Sequence, residues 1–221
     1  MTEPRLLDGD ELRVLVAGVA AALPPVGPQH TLIIVGGSLL AWRGLRQATE
    51  DVDTICRIDE ELRTAVQQVA TRHGLAANWL NDHAAPFSPV TLEVDACELF
   101  FEHPRLRVLG APLCDVFLMK LYRADPNDLA DMQVIWPQIA DQFPSAAAVV
   151  AAYQAAFPLA HHDEHLGAFI VELLAAAGAR SPHDVDEAAR LPTVEVGEHH
   201  PHFAGAAMFR RACLGRACRR Q

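Results

Sequence analysis

The chain has 221 residues, 51% hydrophobic and 21% charged, which suits one compact domain or a core domain with a helical extension and excludes a disordered polypeptide. Its longest apolar runs, such as 32–35 and 146–152, fall far short of the roughly 20 residues a membrane span needs. Net charge is −10, and −15 over residues 1–205 (13 basic against 28 acidic), so a general nucleic-acid-binding face is not expected and any such partner must be gripped locally.

Glu3, Asp8, Asp10 and Glu11 interrupt the pattern of a signal peptide, so a soluble, cytoplasmic protein without a membrane partner is expected. The opening segment, 8–23, carries apolar residues at helical spacing and stops at Pro24-Pro25, which predicts an amphipathic helix. A β-branched apolar strand follows at 31–35, then a Gly36-Gly37-Ser38 break, then a helix over 39–45. Residues 51–58 alternate as a strand does, and 59–73 read as a helix closed by Gly74. The Pro- and Asn-containing stretch 78–90 predicts a loop anchored by Trp79 and Phe87, and 91–102 with 106–109 predict a hairpin turning at Pro104. From 111 onward the sequence is helical, with helices expected over 111–124, 126–139 (Pro126 in its first turn), 145–157 and 164–177. The tail from 181, with prolines, histidines and arginines but little periodicity, is expected to be partly disordered.

Five cysteines at 56, 97, 114, 213 and 218, odd in number and without a CxxC pair, read as reduced thiols rather than a disulfide framework or zinc ribbon. Lys120 is the single lysine among 18 basic residues, and a position that stays lysine in an arginine-rich chain invites a specific role.

The chemistry concentrates in a Gly-Gly-Ser break after a buried strand, followed by Asp51-Val52-Asp53 on the next strand. Alternation places Asp51 and Asp53 on one face, about 7 Å apart along the strand, where two carboxylates can share hard divalent cations. Gly37 permits close backbone approach to a triphosphate, and the amides opening the next helix point toward anions. Two such metals about 4 Å apart serve phosphoryl transfer by activating the attacking hydroxyl and stabilising the leaving pyrophosphate.

The stretch IIVGGSLLAWRGLRQATEDVD resembles the signature of the DNA polymerase beta nucleotidyltransferase superfamily. With TEDVD followed by DVFLMKLYRADPNDLADM, the chain resembles the AbiEii and MenT-type toxin nucleotidyltransferases and their bacterial relatives over roughly residues 30–175. The resemblance implies an α/β (α+β) fold, a polymerase-beta-like core with a mixed sheet at 1–110, a C-terminal helical bundle at 111–180 completing the nucleotide cleft, and a tail at 181–221. It implies transfer of a nucleoside monophosphate from an NTP, with Mg²⁺ or Mn²⁺ as cofactor, to a hydroxyl acceptor. A tRNA 3′ end is expected, in a toxin–antitoxin setting with a possible cognate antitoxin. A small-molecule (aminoglycoside-type) nucleotidyltransferase and a non-catalytic nucleotide-binding module are the alternatives.

Carried across by position, Asp51 and Asp53 resemble the metal carboxylates, Gly36, Gly37 and Ser38 the triphosphate turn, and Lys120 the residue that neutralises phosphate charge. Asp131 would orient Lys120 or the acceptor, with Asp128, one helical turn earlier, competing for that role. Thr49 matches a hydroxyl residue common before D-x-D in the toxins, a turn cap or a regulatory hydroxyl. Arg43 and Arg46 are spaced so that one reaches the phosphates, and Arg46 is the choice. A third metal carboxylate, usual on a later strand in the superfamily, has three candidates in Glu93, Asp95 and Glu98. Thr54 stands where a hydrophobic residue is usual. His161 and His165 have a metal-compatible spacing but read as a solvated helix start, and Trp79 and Trp136 as core residues.

Overall fold

The computed structural model describes residues 5–123, 125, 128–161 and 163–177. The tail at 181–221, with its histidines, arginines and two cysteines, and Pro126 at its expected helix start, lie outside the described residues.

Helix α1, Gly9–Ala22, opens with a capping box in which Asp8 accepts from the N–H groups of Asp10 and Glu11 and Glu11 reaches back to the N–H of Asp8. Strand β1 is His30–Val35 and helix α2 is Gly36–Trp42. Helix α2 starts directly at the end of the strand, so Gly-Gly-Ser forms its first turn, where a break and a helix from Leu39 were expected. Gly36 makes this possible, because its φ of 63° is open to glycine and costly for other L-residues. Strand β2 is only Val52–Thr54, shorter than the expected 51–58. At this end the Thr54 hydroxyl donates to the Ile33 carbonyl and accepts from the N–H groups of Ile33 and Cys56. The Ile33 carbonyl also accepts the Ile55 N–H, so the Thr54 side chain adds a tie to β1 that a hydrophobic residue there would not make.

Helix α3, Glu60–His73, is capped by Asp59 and closed by Gly74 in the left-handed conformation. Strand β3, Leu80–Asn81, lies in the segment expected to be a loop, since two residues are too few to display alternation. Short 3₁₀ turns at Ala85–Phe87 and Val94–Ala96 precede β4, Glu98–His103, and β5, Leu106–Gly110. The hairpin is as expected, but its first strand begins at Glu98 rather than Thr91. The helical remainder comprises α4 (Leu113–Arg123), α5 (Asp128–Ile139), α6 (Ala146–Ala156, capped by Ser145) and α7 (Leu166–Ala176). Among the described residues no helix is long and apolar enough to cross a membrane.

The five strands form one mixed sheet in the order β3-β2-β1-β5-β4, with β1/β5 and β2/β3 parallel and β1/β2 and β4/β5 antiparallel, the α+β class the motifs implied. The described residues divide into two compact units, 5–88 with 92–116, and 89–91 with 117–177, the division falling inside α4 between Val116 and Phe117. The first buries Leu12, Val16 and Val19 of α1, Leu32 and Ile34 of β1, Val66 and Val69 of α3, and Trp79, whose indole N–H donates to the Val66 carbonyl. In the second, Phe117, Trp136, Ile135 and Ile170 are buried, with the Phe117 and Trp136 rings tilted against each other and half-buried Phe143 stacked on Trp136.

At the starting end of β1, away from Gly36, a buried polar network anchors the approach to the strand. Arg105 donates to the carbonyls of Pro24, Val26 and Pro28 and to Glu61, and His30 lies 2.8 Å from Glu61. The hydrogen bond from His30, helped by Arg105, holds the Glu61 carboxyl below its usual range. Among the described residues, Cys56, Cys97 and Cys114 are reduced thiols outside any disulfide. Burial, with Asp115 adding to it, pushes Cys97 up to about 11, so it is neutral and a poor nucleophile near pH 7.

Candidate active site

The finishing end of β1 gathers most of the residues singled out in the first unit. Asp53 pairs with Val35 across the β1–β2 ladder, which sets it beside Gly36. A Cβ on Gly36 would lie 3.5 Å from Asp53 Oδ2, so the carboxylate sits over the bare backbone of this glycine. Burial alternates from Asp51 to Thr54, with Val52 and Thr54 buried and the two aspartates half-buried, so both carboxylates share the partly open face.

Gly37 is crowded. A Cβ there would approach Thr49 Oγ1 to 2.9 Å and the Arg46 guanidinium to 3.0 Å, so glycine is needed for these two side chains to close over the turn. Thr49 is buried and its hydroxyl donates to the Asp51 carbonyl at 3.1 Å, while its backbone exchanges two hydrogen bonds with Leu7. It therefore shapes the turn leading into D-x-D. Ser38 is only 1% exposed and donates to the Val35 carbonyl at 2.9 Å, which ties the first turn of α2 to the strand before it. Arg43 is drawn to the other side, with Glu98 at 2.7 Å and its guanidinium 5.8 Å from the Phe100 ring. Of the two arginines, Arg46 is the one at the glycine turn.

Glu98 does not join Asp53. β4 is separated from β2 by β5 and β1, and three strand spacings put Glu98 roughly 14 Å away. The later strand that does lie beside β2 is β3, and it brings Asn81 into register with Asp53. The Asn81 amide donates to Asp51 Oδ2 at 3.3 Å. Sequence reading had placed Asn81 in a loop, where an asparagine is an ordinary turn former.

In the second unit, Lys120 is 5% exposed and donates to Asp128 Oδ1 at 2.8 Å and Asp131 Oδ2 at 2.6 Å. Both aspartates that competed for the role of orienting Lys120 hold it. Asp128, 1% exposed, is gripped in addition by Arg123 through a bidentate pair at 2.7 and 2.6 Å. His161 lies outside any regular element and the backbone N–H of His165 donates to Asp163, while Trp136 is a core residue.

The model of a family described as "Nucleotidyltransferase of unknown function (DUF6036)" matches residues 11–136, more than half of the chain. The chain belongs to that family. No curated protein and no solved structure matches it. The matched stretch of this nucleotidyltransferase family member contains the glycine turn, D-x-D, Lys120, Asp128 and Asp131, and stops before α6.

The cluster around Lys120 has a pH signature. Burial pushes the Asp128 carboxyl up, but the hydrogen bonds and charges of Arg123 and Lys120 together outweigh it and hold the carboxyl below its usual range. Its stabilising contribution is therefore complete above the ordinary aspartate value of about 3.9 and is lost as pH falls from there through the lowered folded value. Melting temperatures measured from pH 7 down to pH 3 should fall more steeply for wild type than for Asp128→Asn. Parallel curves would show that the pair contributes no acid-dependent stability.

Proposed function

We propose that this nucleotidyltransferase moves a nucleoside monophosphate from an NTP to a hydroxyl acceptor, the 3′ end of a tRNA, as a toxin of the AbiEii and MenT type that its motifs resemble, with a cognate antitoxin as partner. The observation that carries the reading is the seating of the Asp53 carboxylate against Gly36, with Asp51 two residues away and Arg46 closing over Gly37. This combination offers hard anionic ligands and a cation at one strand end.

Magnesium or manganese fits this donor set. Among the described residues no cluster of three or more His, Cys, Asp or Glu side chains forms a complete protein cage. Magnesium needs none, since it is commonly held by one or two carboxylates together with waters and substrate phosphates. When bound, such a metal would polarise the α-phosphate and lower the pKa of the attacking hydroxyl. Asp51 and Asp53 would hold it, Gly36 and Gly37 leave room for the Asp53, Thr49 and Arg46 side chains to pack against the turn, and Arg46 would bind phosphate oxygens. Ser38 and Thr49 keep the turn in shape. By the resemblance, Lys120, held by Asp128 and Asp131, is the residue assigned to the negative charge that develops as the hydroxyl oxygen, giving its proton to water, bonds to the α-phosphorus and pyrophosphate departs.

The test is incubation with total tRNA, Mg²⁺ and each α-labelled NTP in turn, beside a parallel series with aminoglycosides as acceptor. Label entering tRNA with one preferred NTP is the expected result. Label entering the aminoglycoside instead would replace the tRNA reading with a small-molecule one, and label in neither would remove both acceptors.

A further inference from the structure

We propose that Asn81 is a positioning residue of the metal site, resting on the function just proposed: its amide fixes the Asp51 carboxylate from the neighbouring strand, in the place where a third carboxylate would otherwise stand. Three observations converge on it. The parallel pairing of β2 and β3 sets Asn81 opposite Asp53 and on the same face of the sheet. Its Nδ2 donates to Asp51 Oδ2 at 3.3 Å and to the Asn78 carbonyl at 3.5 Å, while its Oδ1 accepts the His83 N–H at 2.9 Å. The side chain is thus held at both ends, and at 5% exposure it has little freedom to turn away.

Asp51 itself precedes β2 on a bend, so the ladder does not hold its carboxylate. Thr49 holds the backbone carbonyl of Asp51 and Asn81 holds the carboxylate. A neutral amide at this place has a definite consequence. It orients Asp51 without adding charge, leaving two anionic protein ligands where a carboxylate at position 81 would make three.

Asn81 also lines a cavity of about 140 Å³, together with Arg63, Asn78, Asp82 and His83. Water can enter there, so truncation at position 81 leaves a polar, solvated gap rather than an empty apolar hole, and the fold should survive it.

The test is Mn²⁺ binding to the full chain without nucleotide, followed by electron paramagnetic resonance of free Mn²⁺, in wild type, Asn81→Ala and Asn81→Asp. Partners that orient a metal ligand are typically worth about 10–100-fold in affinity, so Asn81→Ala should bind Mn²⁺ at least about tenfold more weakly. Asn81→Asp should bind more tightly than wild type, because a carboxylate about 3 Å from Asp51 Oδ2 suits a shared divalent cation and raises the ligand charge count. A residue that only supported the fold would give weaker binding in both variants. Equal weakening in both, or Asn81→Ala binding within twofold of a wild type that itself binds, overturns the role of Asn81 alone. A wild type that binds no Mn²⁺ without nucleotide overturns this role of Asn81, since no preformed metal site is then there to position, while the proposed function stands or falls separately by the transfer assay.

Discussion

Asp53→Ala is expected to lower nucleotidyl transfer about a thousandfold or more while leaving the melting temperature nearly unchanged. The size follows from what the carboxylate would hold. A divalent ion at a transferring phosphoryl group supplies several kcal/mol of charge stabilisation in the transition state, and each 1.36 kcal/mol is a factor of ten in rate. The unchanged stability follows from where Asp53 lies. It is half-buried in the middle of a three-residue strand, its Oδ2 over Gly36, with Val52 and Thr54 on either side supplying the burial. Neutralising it also removes repulsion between two carboxylates on one face, which offsets part of any lost contact. Single-turnover transfer with labelled NTP, measured beside a thermal melt, separates the two effects. Transfer within tenfold of wild type would remove D-x-D from the chemistry.

Lys120→Met is expected to act on stability and activity together. The substitution keeps the length of the side chain and deletes the cation between Asp128 and Asp131. Removing one partner of a buried ion pair costs about 3–5 kcal/mol. The low end, about 3 kcal/mol, applies here because Arg123 keeps its bidentate hold on Asp128. For a chain of this size that corresponds to a fall in melting temperature of about 6–12 °C. Adding Asp131→Asn should restore part of the stability, since one of the two carboxylates the lysine balanced is then neutral, and a double-mutant cycle reads the coupling directly. Activity should not return with it, because the cation assigned to the phosphate charge is still missing. Full recovery of transfer in the double variant would mean that Lys120 serves the fold alone.

Much of this molecule is legible in one dimension because its signals are local. The capping box at Asp8 and Glu11, the Asp59 cap and the Gly74 stop mark two helices through interactions spanning a few residues. The Gly-Gly-Ser to D-x-D spacing is visible because a buried apolar strand must end before a glycine turn can begin. Lys120 stands out by composition alone, as the single lysine of the chain. These features determined the α+β class and the nucleotidyltransferase family to which the chain belongs.

What only the tertiary structure decided are the pairings between distant segments, for which local pattern carries no term. Glu98 looks equivalent to the other acidic candidates in sequence, and the strand order β3-β2-β1-β5-β4 alone carries it to the far edge of the sheet. Arg43 and Arg46 differ only in where the chain turns after α2, which sends one to Glu98 and the other to Gly37. Asn81 reads as a turn residue until a two-residue strand brings it to Asp51, thirty positions away. Hydrogen bonds across a sheet depend on register between strands, and register is settled by the packing of the whole sheet rather than by the composition of any one segment.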